Sequence, residues 1–186
     1  MKTINLSALS QFALDDIESL VSRLENIPSG GISLEQMKNN PSVRTSKIGP
    51  ILKVLVPFGL ITQKQDRYAL TAAGKDFSRS GAVVKKAVMR NLFMTVEPIQ
   101  RLVELLMSSS TVRLPVKVVH ESFNLDSRSN AADAEILGFI LWAQACDLFS
   151  FDKKAKEIFR SEYENLKGPV EAAKTNANAF TLSMTP

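Results

Sequence analysis

Thiol and imidazole groups are scarce in this chain, and their scarcity removes whole classes of chemistry before any pattern is read. Cys146 is the single cysteine, so no intrachain disulfide can form and no cysteine-based zinc site can be assembled. His120 is the single histidine. It stands beside Glu121 without further partners in sight, which predicts a structural or solvated role, because acid-base catalysis needs a positioned second group. Long apolar runs are missing too. The longest nearly uncharged apolar stretch, Ile136 to Cys146, is well short of the roughly 20 residues that span a bilayer. The first 30 residues lack the basic-then-apolar order of a secretion signal, so a cytoplasmic protein without membrane insertion is expected. No glycine-rich loop is followed by Lys and Ser or Thr, no histidine pairs with a carboxylate at helical spacing, and no nucleophile elbow occurs. The expectation is a protein with no catalytic residue, no metal and no cofactor.

What the chain does contain is one pattern written twice. Ile17, Leu20, Val21 and Leu24 recur as Ile99, Leu102, Val103 and Leu106, and Phe58-Gly59-Leu60-Ile61-Thr62 is echoed by Cys146-Asp147-Leu148-Phe149-Ser150. Two apolar helical stripes, each followed later by a helix that runs directly into a strand, imply two related modules.

In the first copy, residues 12 to 27 carry an amphipathic helix with Asp15, Asp16 and Glu18 early, as the helix dipole favours, and Pro28-Ser29-Gly30-Gly31 stops it. Ile32 begins a very short strand. Ser33 and Gln36 form a capping box for a helix over 34 to 39. Ser46 is placed to cap a third helix whose inward residues are Ile48, Ile51, Leu52, Leu55 and Phe58, with Gly59 as its stop. Residues 60 to 64 and 67 to 71 read as two strands joined at Gln65-Asp66. In the second copy, the first helix covers 96 to 107 with Pro98 in its first turn, 112 to 114 form the short strand, 115 to 123 the second helix and 130 to 146 the third. Residues 148 to 152 and 157 to 159 form its hairpin. The order helix, short strand, helix, turn, helix, hairpin is that of a winged helix-turn-helix. A connecting helix lies between the copies, with Val83, Val84, Ala87, Val88, Leu92 and Phe93 inward and Lys85, Lys86 and Arg90 toward water.

Charge separates the copies. Residues 40 to 67 hold Arg44, Lys47, Lys53, Lys64 and Arg67 against Asp66 alone, whereas residues 112 to 186 are nearly balanced. A third helix of this motif enters the major groove while the turn and wing touch phosphates. Ser42, Arg44, Thr45, Ser46, Lys47 and Lys53 at the turn and third helix, with Lys64 and Arg67 in the wing, are thus candidate contacts to double-stranded DNA. Pro50, Val54 and Pro57 are expected on the outer face of the same helix, where an apolar surface suits a protein partner or a second copy of the chain. Asp126, Asp133 and Glu135 around the start of the other third helix repel phosphate. That helix, with Trp142, Leu137, Ile140, Leu141 and Cys146, is read as core or interface packing.

The run from Ile140 to Asp152, with Trp142, Asp147, Leu148, Phe149, Phe151 and Asp152, resembles the end of the AAA-associated domain that follows the ATPase subunit of some nitrate/sulfonate-type ABC transporters. Leu70-Thr71 with Gly74, and the basic-to-apolar stretch through Lys86, Arg90, Leu92 and Phe93, resemble its middle portion, so the similarity extends over residues 12 to 159. The resemblance implies two winged-helix-like halves and a regulatory or docking role beside an ATPase. Two departures from that family are expected: a domain with no ATPase before it, and a turn before the third helix that is basic at Arg44 and Lys47.

These readings predict a mainly α protein with small β wings, a tandem winged helix-turn-helix. A first module over 1–80, a connecting helix over 81–95, a second module over 96–160 and a flexible tail over 161–186 are expected. DNA binding by the first module, in a transcription regulator, is the leading functional expectation. A docking module without DNA affinity, meeting an ATPase or a second copy through Pro50, Val54, Pro57 and Trp142, is its rival.

Overall fold

The computed structural model describes residues 5–27, 30–39, 41–108, 112–126 and 128–160; the predicted tail lies outside them. The first module comprises α2 (Leu14–Glu25), β1 (Ile32–Ser33), α3 (Leu34–Asn39), α4 (Thr45–Leu55), β2 (Ile61–Lys64) and β3 (Arg67–Leu70). The second comprises α7 (Glu97–Met107), β4 (Arg113–Pro115), α8 (Val116–Ser122), α9 (Asn130–Ala145), β5 (Ser150–Asp152) and β6 (Glu157–Phe159). Between them run α5 (Ala72–Arg79) and α6 (Ala82–Phe93), and a short α1 (Leu6–Leu9) precedes everything. Each module closes a three-stranded antiparallel sheet of the same order, β1-β3-β2 and β4-β6-β5. The protein is mainly helical with small β wings, as the pattern predicts.

The duplication reaches single residues. Ile17, Leu20, Val21 and Leu24 are buried in α2, and Ile99, Leu102, Val103 and Leu106 are buried in α7. Ile48, Ile51, Leu52 and Leu55 of α4 are matched by Ile136, Phe139, Ile140 and Ala143 of α9, all buried. Each third helix then ends in the same way. Gly59 and Asp147 both adopt left-handed backbone, φ 76° and 57°, and the next N–H turns back on the helix, Leu60 to the Leu55 carbonyl at 3.1 Å and Leu148 to the Ala143 carbonyl at 2.8 Å. Glycine takes this conformation without strain, and aspartate tolerates it better than most residues.

Local signals explain most boundaries. The Ser33–Gln36 box forms reciprocally: the Ser33 N–H donates to Gln36 Oε1 at 3.0 Å, and the Gln36 N–H donates to Ser33 Oγ at 3.2 Å. Thr71 caps α5, its Oγ1 accepting from the Gly74 N–H at 3.0 Å and donating to the Gly59 carbonyl at 2.7 Å. Gly74 is required there, because a Cβ would collide with the Leu60 carbonyl.

In three places the structure departs from the sequence reading. Helix α4 starts one residue before Ser46, with Arg44 at the cap position and no side-chain cap. Helix α6 is rotated from its predicted orientation. Lys85 and Arg90 are buried beside Met89 and Phe93, while Val83 and Val84 are 77% and 51% exposed. The buried stripe runs Lys85, Met89, Phe93 at intervals of four. Lys85 is accommodated because its ammonium reaches Glu18 Oε2 at 3.8 Å and lies 6.0 Å from the Phe77 ring centroid while its stem covers apolar surface.

The third departure is α1, too short to show periodicity. It packs against both α4 and α9. Asn5 caps it by accepting from the Ala8 N–H at 2.9 Å, and Leu6, Ala8 and Leu9 are buried. The N-terminal segment therefore wedges between the two third helices.

Candidate functional site

Placing the repeats in register pairs Val54 of α4 with Trp142 of α9 and Pro50 with Gly138. Val54, predicted to face outward, is only 2% exposed. Helix α4 is packed by α1 as well as by α2 and α3 of its own module, so less of it is left outward than its own module alone would leave. Trp142 is buried in the equivalent way. Its indole N–H is shared between the Leu9 carbonyl at 3.0 Å and the Phe12 carbonyl at 3.1 Å, and Phe12 packs edge-on at 5.3 Å between ring centroids. Phe93 lies 6.2 Å from Trp142 and 5.6 Å from Phe58, so one aromatic chain crosses from module to module. Trp142 serves an internal interface within this chain, not an outward one. Gly138 permits it, since a Cβ there would lie 2.6 Å from Cα of Ser10.

What the third helices leave outward differs sharply. On α4 the exposed or half-exposed positions include Ser46, Gly49, Pro50 and Lys53, and Pro57 just beyond the helix is exposed. On α9 the equivalents of Ser46, Gly49, Lys53 and Pro57 are Ala134, Leu137, Leu141 and Ala145, every one exposed. Leu137 and Leu141 are 44% and 54% exposed. Beside them a shallow apolar groove of about 180 Å³ opens between α9 and the N-terminal segment, floored by Leu9, Phe12 and Trp142.

The predicted cations do not form one ridge. Lys47 turns to the start of α2, where its Nζ meets Asp16 Oδ2 at 2.7 Å. Burial pushes the Asp16 carboxyl up, but Lys47, the Ala13 N–H and Arg44 together outweigh it and hold the group below the usual carboxylate range. Ser42, Arg44, Thr45, Ser46 and Lys53 are exposed, and Arg44 and Lys53 have no ion pair among the described residues. Lys64 and Arg67 sit at the other end of α2. They line a cleft with Leu24, Ile27 and Lys75, roughly 12–16 Å along the helix axis from Asp16 at 1.5 Å per residue.

The single histidine and the single cysteine are both buried. His120, 2% exposed, places Nε2 3.0 Å from Asp133 Oδ1 and so joins α8 to α9. Burial, with Asp147 adding to it, pushes the Cys146 thiol up to about 12, which removes it as a nucleophile. Among the described residues no three His, Cys, Asp or Glu side chains gather as a metal site, and no helix is long and apolar enough to cross a membrane.

The sequence reading missed α1, Gly138 and Lys75. The first two acquire meaning only when the N-terminal segment crosses α9. The third stands beyond the wing and reaches the cleft because α5 folds back on α2.

No curated protein and no solved structure matches the chain. A family model does: that of the C-terminal AAA-associated domain, over residues 36–152. The match runs from α3 to β5, and thus across the third helices of both modules and everything that joins them. With more than half of its residues inside that match, this duplicated winged-helix chain belongs to the C-terminal AAA-associated domain family.

Proposed function

We propose that the chain is a protein-docking domain that works beside an ATPase and meets it through the outer face of α9. The observation that carries this reading is the stripe Ala134, Leu137, Leu141 and Ala145, exposed at the position where a helix-turn-helix meets its target. No charged residue follows Glu135 in α9. Uncovered apolar surface on a helix gains free energy when a partner takes it from water, at about 25 cal/mol per Å². Nucleic acid is a poor match for this face, since α9 contains no Lys or Arg and begins near Asp133 and Glu135. The family's description as AAA-associated supports an ATPase as that partner.

A second reading keeps DNA as the partner of the first module, in a transcription regulator. It is favoured by the exposed group Ser42, Arg44, Thr45, Ser46 and Lys53 around the start and outer side of α4. Against it, α1 covers one flank of that helix and Asp16 neutralises Lys47.

One experiment separates the readings. The purified chain is mixed with the ATPase encoded nearest to its gene and sized by light scattering, and a gel-shift series is run with random duplex DNA at low salt. A complex with the ATPase is expected, lost in Leu137→Glu with Leu141→Glu at unchanged thermal stability, alongside negligible DNA affinity. A salt-sensitive DNA complex that weakens in Arg44→Ala with Lys53→Ala, without ATPase binding, would overturn docking and favour the regulator. A homodimer dissolved by the leucine variant would assign the stripe to a second copy instead.

A further inference from the structure

We propose that the wing of the first module holds a binding site for a phosphoryl or diphosphate group of a small molecule. The site is the cleft of about 160 Å³ bounded by the end of α2, the Gly30-Gly31 turn, the β2-β3 hairpin and α5. Thr62 pairs with Ala69 and Lys64 with Arg67 across the hairpin, so these four side chains share one face. Lys75 closes the cleft from α5, and Leu24, Ile27 and Leu70 supply apolar walls.

Two independent features point to an anion. Lys64 and Arg67 are directly opposed in the antiparallel ladder, an arrangement of like charges that destabilises a hairpin. Lys75 adds a third cation, and the lining contains no carboxylate. Glu25, the nearby acid that senses Lys75, is already engaged, with Oε2 accepting from Ser78 Oγ at 2.7 Å and Oε1 accepting from Arg79 Nε at 2.6 Å. Asp66 in the turn makes no ion pair among the described residues. None of the three cations has an ion-pair partner among the described residues.

The cleft is also organised for such a group. Arg67 donates Nε–H to the Gly30 carbonyl at 3.0 Å, which holds the guanidinium at the cleft and leaves its Nη donors without another bond among the described residues. Gly31, at φ 70°, lets the turn close over Tyr68, where a Cβ would come within 2.8 Å of the carbonyl. A fixed fork with two flexible ammonium groups matches a tetrahedral dianion better than a single carboxylate. The volume is below the roughly 300 Å³ at which whole-ligand pockets begin, so the cleft holds the charged group while the rest of the molecule lies outside.

The test is calorimetric titration of the full chain with pyrophosphate and with inorganic phosphate, alongside a short duplex DNA. Saturable pyrophosphate binding is expected, weakened about tenfold or more in Lys64→Gln with Lys75→Gln and unchanged in Lys53→Gln. The lysine variants are chosen because Arg67 also holds the Gly30 turn, and circular dichroism verifies that they fold. Absence of saturable pyrophosphate binding, or equal affinity in the double variant, would overturn the proposal. So would duplex DNA binding that depends on Lys64 and Lys75 while pyrophosphate neither binds nor competes, since the cations would then serve a nucleic-acid backbone.

Discussion

The two modules share a buried face almost residue for residue and differ on the face they leave to solvent. Ile48, Ile51, Leu52, Val54 and Leu55 correspond to Ile136, Phe139, Ile140, Trp142 and Ala143, and all ten are buried. Outside, Ser46, Gly49 and Lys53 on α4 stand where Ala134, Leu137 and Leu141 stand on α9. The scaffold constrains the first set because packing leaves no room for polar groups. It leaves the second free, so the outward residues are where the copies acquire separate roles.

The flank facing α1 gives the strongest way to break this comparison. Trp142→Ala removes the largest side chain there and frees two carbonyls, and a loss of about 3–5 kcal/mol in urea unfolding is expected. Val54→Ala, the same position in the other module, should cost about 2 kcal/mol. Equal losses would mean that the N-terminal segment leans on both helices alike; a Trp142 loss below about 1 kcal/mol would mean that it is not anchored there.

Gly138→Val tests the wedge from the other side, because its Cβ would lie 2.6 Å from backbone and side-chain carbons of Ser10. A loss of about 1–3 kcal/mol is expected, with faster amide exchange in residues 5–12 than in the wings. Uniform exchange would place the damage in α9 itself.

A smaller effect concerns charge. The Asp16 carboxyl is held below its ordinary value in the folded chain, so its contribution is present above the unfolded pKa and is lost as pH falls through the folded one. Wild type should lose stability relative to Asp16→Asn as pH falls from about 5 to about 2, by no more than about 1 kcal/mol. Parallel curves would show that Lys47 gains nothing from this partner.

An effect of similar size compares the helix stops. Gly59→Asp recreates the residue that the second module uses at the same left-handed position, and a Cβ there has no neighbour within 4 Å. Its cost should be about 1 kcal/mol, and Asp147→Gly should change stability by less. A much larger loss at Gly59 would mean that the stops are not equivalent.

Much of this architecture was legible from short-range patterns. The α2 and α7 stripes, the Ser33–Gln36 box, Pro98 near the start of α7 and both hairpins are dictated by neighbours a few residues apart, where propensity and periodicity act. The rotation of α6 was not legible, because a lysine in an apolar stripe reads as solvent-facing until Glu18 and Phe77 are brought beside it. Lys47, Lys64 and Arg67 read as one basic surface because they lie close together in the sequence. In the fold, α2 stands between Lys47 and the other two.

The amino-acid order by itself determined a duplicated helix-turn-helix with paired wings, the absence of disulfide cross-links and the contrast between a cationic and an apolar third helix. Only the tertiary structure decided what those helices face. A four-residue helix with no amphipathic signature of its own packs against both, meets Trp142 through the Leu9 carbonyl, and leaves Leu137 and Leu141 exposed. Such a placement depends on contacts between residues more than 100 positions apart, as in the bonds from Trp142 to Leu9 and Phe12. No local propensity encodes contacts of that range.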